Sequence, residues 1–568
     1  MSDPRPELIL IGGRVRSPAD PSGFAEAIAI GNGTITAVGS DADIKDLAGP
    51  DTRVIDLAGR LALPAFGDAH VHAISGGLES LRCNMLGLKT RQQCLDTIAR
   101  YRASLDRGGL PAGTWVLGGG WSMEGFPGGT PTAADLDTVT GGRPAFLPNR
   151  DHHGAWVNTA ALTLAGISAS TPDPADGRIE RYPDGSPTGT LHDGAMGLVA
   201  RHVPPNTAAE LRDGLAAALR YLHSMGIAHY QDACVGAAGE LGISDTYSTY
   251  VAAAHDGTLT ASVTGALWWD RHRGTTHGGA QYEDLLTRRE QASLPSSKFR
   301  ATSVKLMLDG VCETFTAAMG MPYLDEHGHA TGHTGLFFID PEELKSIVKR
   351  LSAEGFQLHF HALGDGAVTA GLNALEELPA AERRAGRHHL AHLQFIAPSD
   401  LARFGELGAV ANFQPLWAAN EPQMLELTLP FVGPERAGWQ YQIGGLAQLG
   451  TRIAFGSDWP VSSGDPLQEM HVAVNRVLSR SLGRAGRPEC EEPFMPGQAV
   501  SVHTAIDAFT SGVAYVNHEE DVTGRLLPGL RADVAVLDQD LFAIPASDIG
   551  GTSVALTVAN GQVVYGDE

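Results

Sequence analysis

The sequence predicts an α/β protein, a (β/α)8 TIM barrel carrying a small β-sandwich built from both termini and an inserted subdomain after the first barrel strand. Three observations carry this. Eight apolar, strand-like runs, each followed by a helix-like or loop stretch, succeed one another between residues 61 and 461. The two ends of the chain share another texture, short β-like runs broken by turn signals. The connection after the first run, residues 73–226, is far too long for a plain crossover.

In chain order, residues 8–13, 27–33, 34–39 and 53–56 read as short strands, with Gly31-Asn32-Gly33 as a hairpin signature. Residues 532–537, 554–561 and 562–565 match them at the far end. Two or three strands bury too little to stand alone, so 1–62 and 516–568 are expected to share one sandwich around a barrel spanning 63–515. The barrel strands are expected at 61–72, 227–234, 259–270, 301–310, 355–365, 388–396, 409–417 and 452–461, with amphipathic helices at 208–222 and 341–351. The insert, at about 105–205, is Gly/Pro-rich and strand-like. It is expected to hang over the active site and supply aromatic walls such as Trp121 and Trp156; the competing reading places both tryptophans in the insert's own core.

A chain of 568 residues exceeds what one core usually supports, although α/β barrels form large single units. Its 43% hydrophobic and 19% charged residues are ordinary for a soluble globular protein. The net charge of −24, from 41 basic and 65 acidic residues, argues against nucleic acid and anionic membranes as partners. No run approaches the length of a membrane span and the first residues lack a secretory pattern, so a cytoplasmic location is expected. The 5 cysteines, Cys83, Cys94, Cys234, Cys312 and Cys490, are scattered, which speaks against a disulfide framework. Cys312, just past Asp309-Gly310, is expected to be a buried structural thiol.

Chemistry concentrates in Pro64-Ala-Phe-Gly-Asp-Ala-His70-Val-His72, where a strand ending in His-x-His turns two imidazoles to one face. Neutral imidazoles converging at a strand end suit Zn2+ or a similar divalent ion. His361 and Asp365, His392, Asp458 and Lys305 recur at the ends of later strand-like runs, where a TIM barrel keeps its active site.

These residues, with Gly119-Gly120-Trp121, Pro131-Thr132, Trp156-Val157-Asn158, Thr188-Gly189, Asp309-Gly310, Gln414-Pro415 and Gly456-Ser457-Asp458 in order along almost the whole chain, resemble the amidohydrolase superfamily. The resemblance is to its amidohydrolase-3 branch, whose best-known members are N-substituted formamide deformylases. It implies that His70, His72 and Asp458 hold one Zn2+ or other divalent ion and that His361 and His392 hold a second, with His359, His388 and His389 as packing or supporting residues. A carboxylated Lys305 would bridge the two ions; the alternative is an ordinary lysine paired with Asp309 and a single ion. Asp458 would also shuttle the proton. His153, Gln414 and Trp417 match substrate-contact positions of the branch. Asp193, where the branch usually has Glu, and His152, where it commonly has Gly, depart from its pattern and bear on substrate choice.

The implied activity is hydrolysis of the C–N bond of a small N-substituted formamide or N-acyl amine by metal-activated hydroxide. A deaminase of an amino-heterocycle is disfavoured, because the Glu that such enzymes use after the strand-five histidine is missing from His361-Ala-Leu-Gly-Asp365. Lactone or carbamate hydrolysis stays open. A non-catalytic scaffold is disfavoured by the intact His70, His72, His361, His392 and Asp458. A homodimer is compatible with the sequence.

Overall fold

The computed structural model describes residues 5–20, 22–239, 242–273, 278–293, 297–482 and 486–566. Both ends of the chain meet in two sheets. The first has four strands, in the order Thr34–Gly39, Ala27–Gly31, Leu8–Ile11, Arg53–Asp56. The second has six, in the order Gln562–Tyr565, Val554–Ala559, Val534–Leu537, Leu61–Pro64, Arg14–Arg16, Phe24–Ala25. Leu8, Leu10, Ile28 and Ile30 from the first pack with Ala62, Val534, Val536 and Val558 from the second in one buried cluster. Alternation along each strand thus gives the sheets a shared dry face.

The run 61–72 is two strands rather than one. Leu61–Pro64 pairs antiparallel with Val534–Leu537 in the sandwich. At Ala65 the chain changes partners: Ala65 N donates to Asp533 O, and Phe66 N donates to Gly226 O at the start of the barrel. All of 61–71 is buried, so hydrophobicity shows no seam between the two sheets.

The barrel strands are β1 Phe66–Val71, β2 Ile227–Val235, β3 Ser262–Trp268, β4 Phe299–Met307, β5 Gln357–Ala362, β6 His389–His392, β7 Val410–Phe413 and β8 Ile453–Phe455. Every neighbouring pair from β1 to β8 runs parallel. The ring closes just beyond the strands, where Asp458 N donates to His70 O (2.7 Å) and His72 N to Trp459 O (2.9 Å). Helices cover the outside. Pro341–Ala353 shows how they form: Asp340 caps the amides of Glu342 and Glu343, Pro341 takes the first turn, and Leu344, Ile347, Val348 and Leu351 recur on the buried face.

The strands stop short of the apolar runs that announce them. Residues 308–310, 363–364, 393–396 and 456–461 leave the sheet as loops at its C-terminal mouth, and Pro415–Trp417 leaves it as a turn of 3-10 helix. The insert begins earlier than expected, since its six-stranded sheet runs from Cys83–Asn84 through Val116–Gly119, Ala145–Pro148 and Gly154–Val157 to Pro187–Asp193 and Gly177–Arg181. Among the described residues no helix is long and apolar enough to cross a membrane. All five cysteines are buried and none is in a disulfide, and Cys312 lies in one apolar cluster with Tyr323 and Phe395.

Candidate active site

His70, His72, Lys305, His361, His392 and Asp458 line one small cavity at the mouth of the barrel. Each is placed by its strand. His70 lies in β1 and His72 just after it; Lys305 lies near the end of β4, His361 in β5, and His392 is the last residue of β6. Asp458 comes three residues after β8, in the left-handed conformation (φ 55°), as does His392 (φ 79°). Non-glycine residues held there carry backbone strain that the surrounding fold has to maintain.

Asp458 Oδ1 is 3.1 Å from His72 Nε2 and 3.4 Å from His70 Nε2, and its Oδ2 is 3.8 Å from His392 Nδ1. Apart from these contacts with the histidines, Oδ1 is buried without a hydrogen-bond partner, as are His361 Nδ1 and His72 Nδ1. Ligand atoms of His70, His392 and Asp458 fall within 4.8 Å of one another. The His361 ring lies 4.5 Å from that of His392, centroid to centroid. Imidazole nitrogens and a carboxylate oxygen gathered at one point are the donor set a divalent cation takes.

Burial, with Lys305 next, drives the His70 pKa well below its ordinary value, and burial does the same to His361. Neutral imidazoles are the form that binds metal. Burial alone would raise the Asp458 pKa, but the neighbouring His72, His392 and Lys305 outweigh it and hold the carboxyl below the usual range. Lys305, fully enclosed, is brought down to about 8 by burial, against the pull of Asp458. Its Nζ lies 3.2 Å from His70 Nε2. Asp309, the alternative partner, is occupied elsewhere, accepting the amides of Ala318, Leu363 and Gly364 (2.9–3.1 Å).

Of the residues expected to contact substrate, His153 and Trp417 line the adjoining cavity. The Trp417 ring stacks on His392 at 5.3 Å and 8°. His153 Nδ1 lies 2.6 Å from Asp193 Oδ1, and although burial opposes a charged ring, Asp193 lifts its pKa above the ordinary value. The unusual Asp193 therefore works by holding His153. Trp121 and Trp156 require a correction: they line neither cavity and are 1% and 0% exposed. They pack edge to face with Phe126 in the insert's core, and their Nε1 atoms donate to Leu147 O (2.8 Å) and Thr132 O (2.7 Å). Gln414 is likewise fully buried and touches His392, its Oε1 lying 2.9 Å from Nδ1, instead of facing the cavity.

The structure adds residues that the motifs did not single out. Asp68, in the same Gly-Asp-x-His run as His70, accepts the amides of His70 and Ser457 (both 3.0 Å) and so ties β1 to the loop carrying Asp458. Gly456 permits that approach, because a Cβ there would sit 2.5 Å from His70 N. Arg150 lines the outer cavity and donates from Nη2 to Gln423 Oε1 (2.9 Å). Asp68 and Gly456 stand inside the sequence motifs, which gave them no role, and nothing in the sequence pointed to Arg150.

Residues 53–565 match the model of the amidohydrolase family. YtcJ of Bacillus subtilis (strain 168) is 30% identical over 562 residues, covering 98% of both chains. The N-substituted formamide deformylase of Arthrobacter pascens is 26% identical over 583 residues, again with 98% of each chain covered. An uncharacterized metal-dependent hydrolase from Pyrococcus furiosus shares the fold, with a TM-score of 0.68 at 24% identity over 94% of this chain and 99% of that one. With the family model matched over most of its length, this chain belongs to the amidohydrolase family.

Proposed function

We propose that this amidohydrolase cleaves the C–N bond of a small N-substituted formamide or N-acyl amine at a centre of one or two divalent ions, Zn2+ first among them. The observation that carries this is the gathering of His70, His72, Lys305, His361, His392 and Asp458 around one buried cavity at the barrel mouth. The formamide substrate takes its support from the Arthrobacter pascens relative. In this reading His70, His72 and Asp458 hold one ion and His361 and His392 a second, which would polarise the scissile carbonyl and acidify water. Lys305 would carry a carbamate facing both groups of ligands. Its enclosed amine points at His70, where an added anion is favoured over an ammonium beside cations.

Asp458, kept ionised by its neighbours, is placed to take a proton as water adds to the carbonyl and to hand it to the departing amine. His153, held by Asp193 and lining the same cavity, can donate to the carbonyl oxygen. Trp417 walls the outer cavity. Metal analysis of the purified protein, followed by a screen of N-substituted formamides, N-acyl amines, lactones and amino-heterocycles, tests the reading. Bound metal with amine released from formamides or N-acyl amines is expected. Turnover confined to lactones or amino-heterocycles, or undiminished turnover in metal-free protein, would overturn it.

A further inference from the structure

Below the candidate metal centre the barrel interior is filled by amides and imidazoles joined in one buried network. Its fixed point is Gln357 at the start of β5, whose Nε2 donates to the backbone carbonyls of Arg387 (3.0 Å) and Val516 (2.6 Å). Only an amide NH2 can meet two carbonyl oxygens, so Gln357 Oε1 must face Gln231 and accept from its Nε2 (3.0 Å). The second N–H of Gln231 goes to Asn517 Oδ1 (3.1 Å). Gln231 Oε1 is thereby turned towards His359 Nδ1 (2.7 Å) and His389 Nε2 (3.0 Å), and both nitrogens must carry hydrogen.

His359 and His389 bond to amides and to another imidazole, not to carboxylates, so each buried ring carries a single proton. With Nδ1 protonated, His359 Nε2 is an acceptor. The atom 2.9 Å from it, His70 Nδ1, must then be the donor. On the other branch His389 Nδ1 accepts from Asn412 Nδ2 (3.1 Å), which also donates to the backbone oxygen of Ala69 (3.0 Å). Asn412 Oδ1 accepts from Gln414 Nε2 (3.2 Å), leaving Gln414 Oε1 to accept from His392 Nδ1 (2.9 Å). The hydrogen bonds of both branches run with one consistent polarity from Gln357 to His70 and His392.

We propose that Gln357, anchored on two backbone carbonyls at the barrel floor, dictates the tautomers of His70 and His392 through Gln231, His359, His389, Asn412 and Gln414, so that both rings turn an unprotonated Nε2 into the cavity. These are positioning residues. The backbone oxygens of Arg387 and Val516 at the barrel floor, with that of Ala69 on the second branch, decide which ring nitrogens are free. Lys305 Nζ, 3.2 Å from His70 Nε2, meets the lone pair this polarity leaves there. The consequence for metal binding rests on the function proposed above; the polarity of the network does not.

The two can be tested separately. Two-bond 1H–15N spectra of metal-free protein labelled at histidine, assigned with single His→Gln variants, read each tautomer directly. The expected pattern is Nδ1–H for His70, His359 and His392 and Nε2–H for His389. In Gln357→Leu, His70 and His359 should become tautomer mixtures. Zn2+ affinity, measured by competition with a chromophoric chelator, should fall about 10–100-fold in His359→Leu, the range typical for partners of metal-ligating histidines. His359→Gln, whose amide oxygen can still accept from His70 Nδ1, should retain affinity. An Nε2–H tautomer at His70 in the metal-free wild type overturns the proposal. So does a Gln357→Leu protein with unchanged tautomers. Should Gln357→Leu not fold, the wild-type tautomer pattern decides alone. The expected tautomers in a protein that holds no Zn2+ would refute the metal centre and leave the network standing.

Discussion

The two ends of the barrel both bury carboxylates and treat them in opposite ways. At the floor, beneath the starts of β2 and β4, charges are matched pairwise. Arg531 Nε meets Asp533 Oδ2 at 2.6 Å, Arg300 Nη2 meets Glu519 Oε1 at 2.6 Å, and Arg531 Nη2 reaches Glu519 Oε2 at 3.4 Å. Asp533 also accepts from Thr523 Oγ1 and Asn560 N, both at 2.8 Å. At the mouth, Asp458 Oδ1 and Asp193 Oδ2 are buried without hydrogen-bond partners, and Asp458, His392 and Asp193 sit in the left-handed region. Matched buried charges hold the strands and termini together, whereas convergent unmatched donors at strand ends are what a binding site needs. In a TIM barrel, the mouth reads as chemistry and the floor as stability.

The largest way to break that division is at the mouth. Chelation is expected to abolish hydrolysis, with activity returning on addition of Zn2+. Asp458→Asn should lower kcat by about 10²–10⁴-fold, the usual contribution of general acid–base catalysis, while leaving the melting temperature within a few degrees of wild type. Kinetics and thermal denaturation on the same preparations check both. Near-normal turnover in Asp458→Asn would move the proton shuttle elsewhere.

Asp533→Asn should do the converse, costing about 1.5–3 kcal/mol of stability by removing one of the two carboxylates that pair with Arg531, with kcat per folded molecule unchanged. Denaturant unfolding reads the first quantity and active-fraction kinetics the second. Burial would raise the carboxyls of Asp533 and Glu519, but Arg531, joined by Arg300 at Glu519, holds both below their ordinary values. Folded values depressed in this way add stability that is present above the unfolded pKa values, about 3.9 and 4.3, and is lost as pH falls through the folded ones. The melting temperature should accordingly drop below about pH 4, and less steeply in Asp533→Asn than in wild type.

The smallest expected effect sharpens the boundary of the site. Trp156→Phe forfeits the hydrogen bond to Thr132 O and some packing in the insert, for about 1–2 kcal/mol of stability. KM should not move, because Trp156 does not face the cavity. A changed KM would return this tryptophan to the substrate wall.

Much of this was legible in the chain. His70-x-His72 sits on an apolar strand, Lys305, His361 and His392 each sit at or near the end of another, and period and composition alone place those ends on one face of a barrel. Amphipathic spacing in 341–351 announces its helix with equal clarity. Local rules of this kind depend on residues a few positions apart, which is why they can be read without a structure.

What only the tertiary structure decided depends on residues far apart in sequence. An all-buried run such as 61–71 looks the same whether it serves one sheet or two; the split at Ala65 comes from Asp533 and Gly226, which offer different partners on either side. Tryptophans near a site are as apolar in a core as on a wall, and only the packing of Trp121, Phe126 and Trp156 tells which. Likewise Gln414 belongs beneath His392 and not beside substrate because Asn412 orients its amide from below. The sequence by itself determined the barrel and the residue types able to bind a cation at its mouth. The tertiary structure decided which buried polar atoms are paired and which are left free, because hydrogen-bond polarity is settled by three-dimensional neighbours and not by position along the chain.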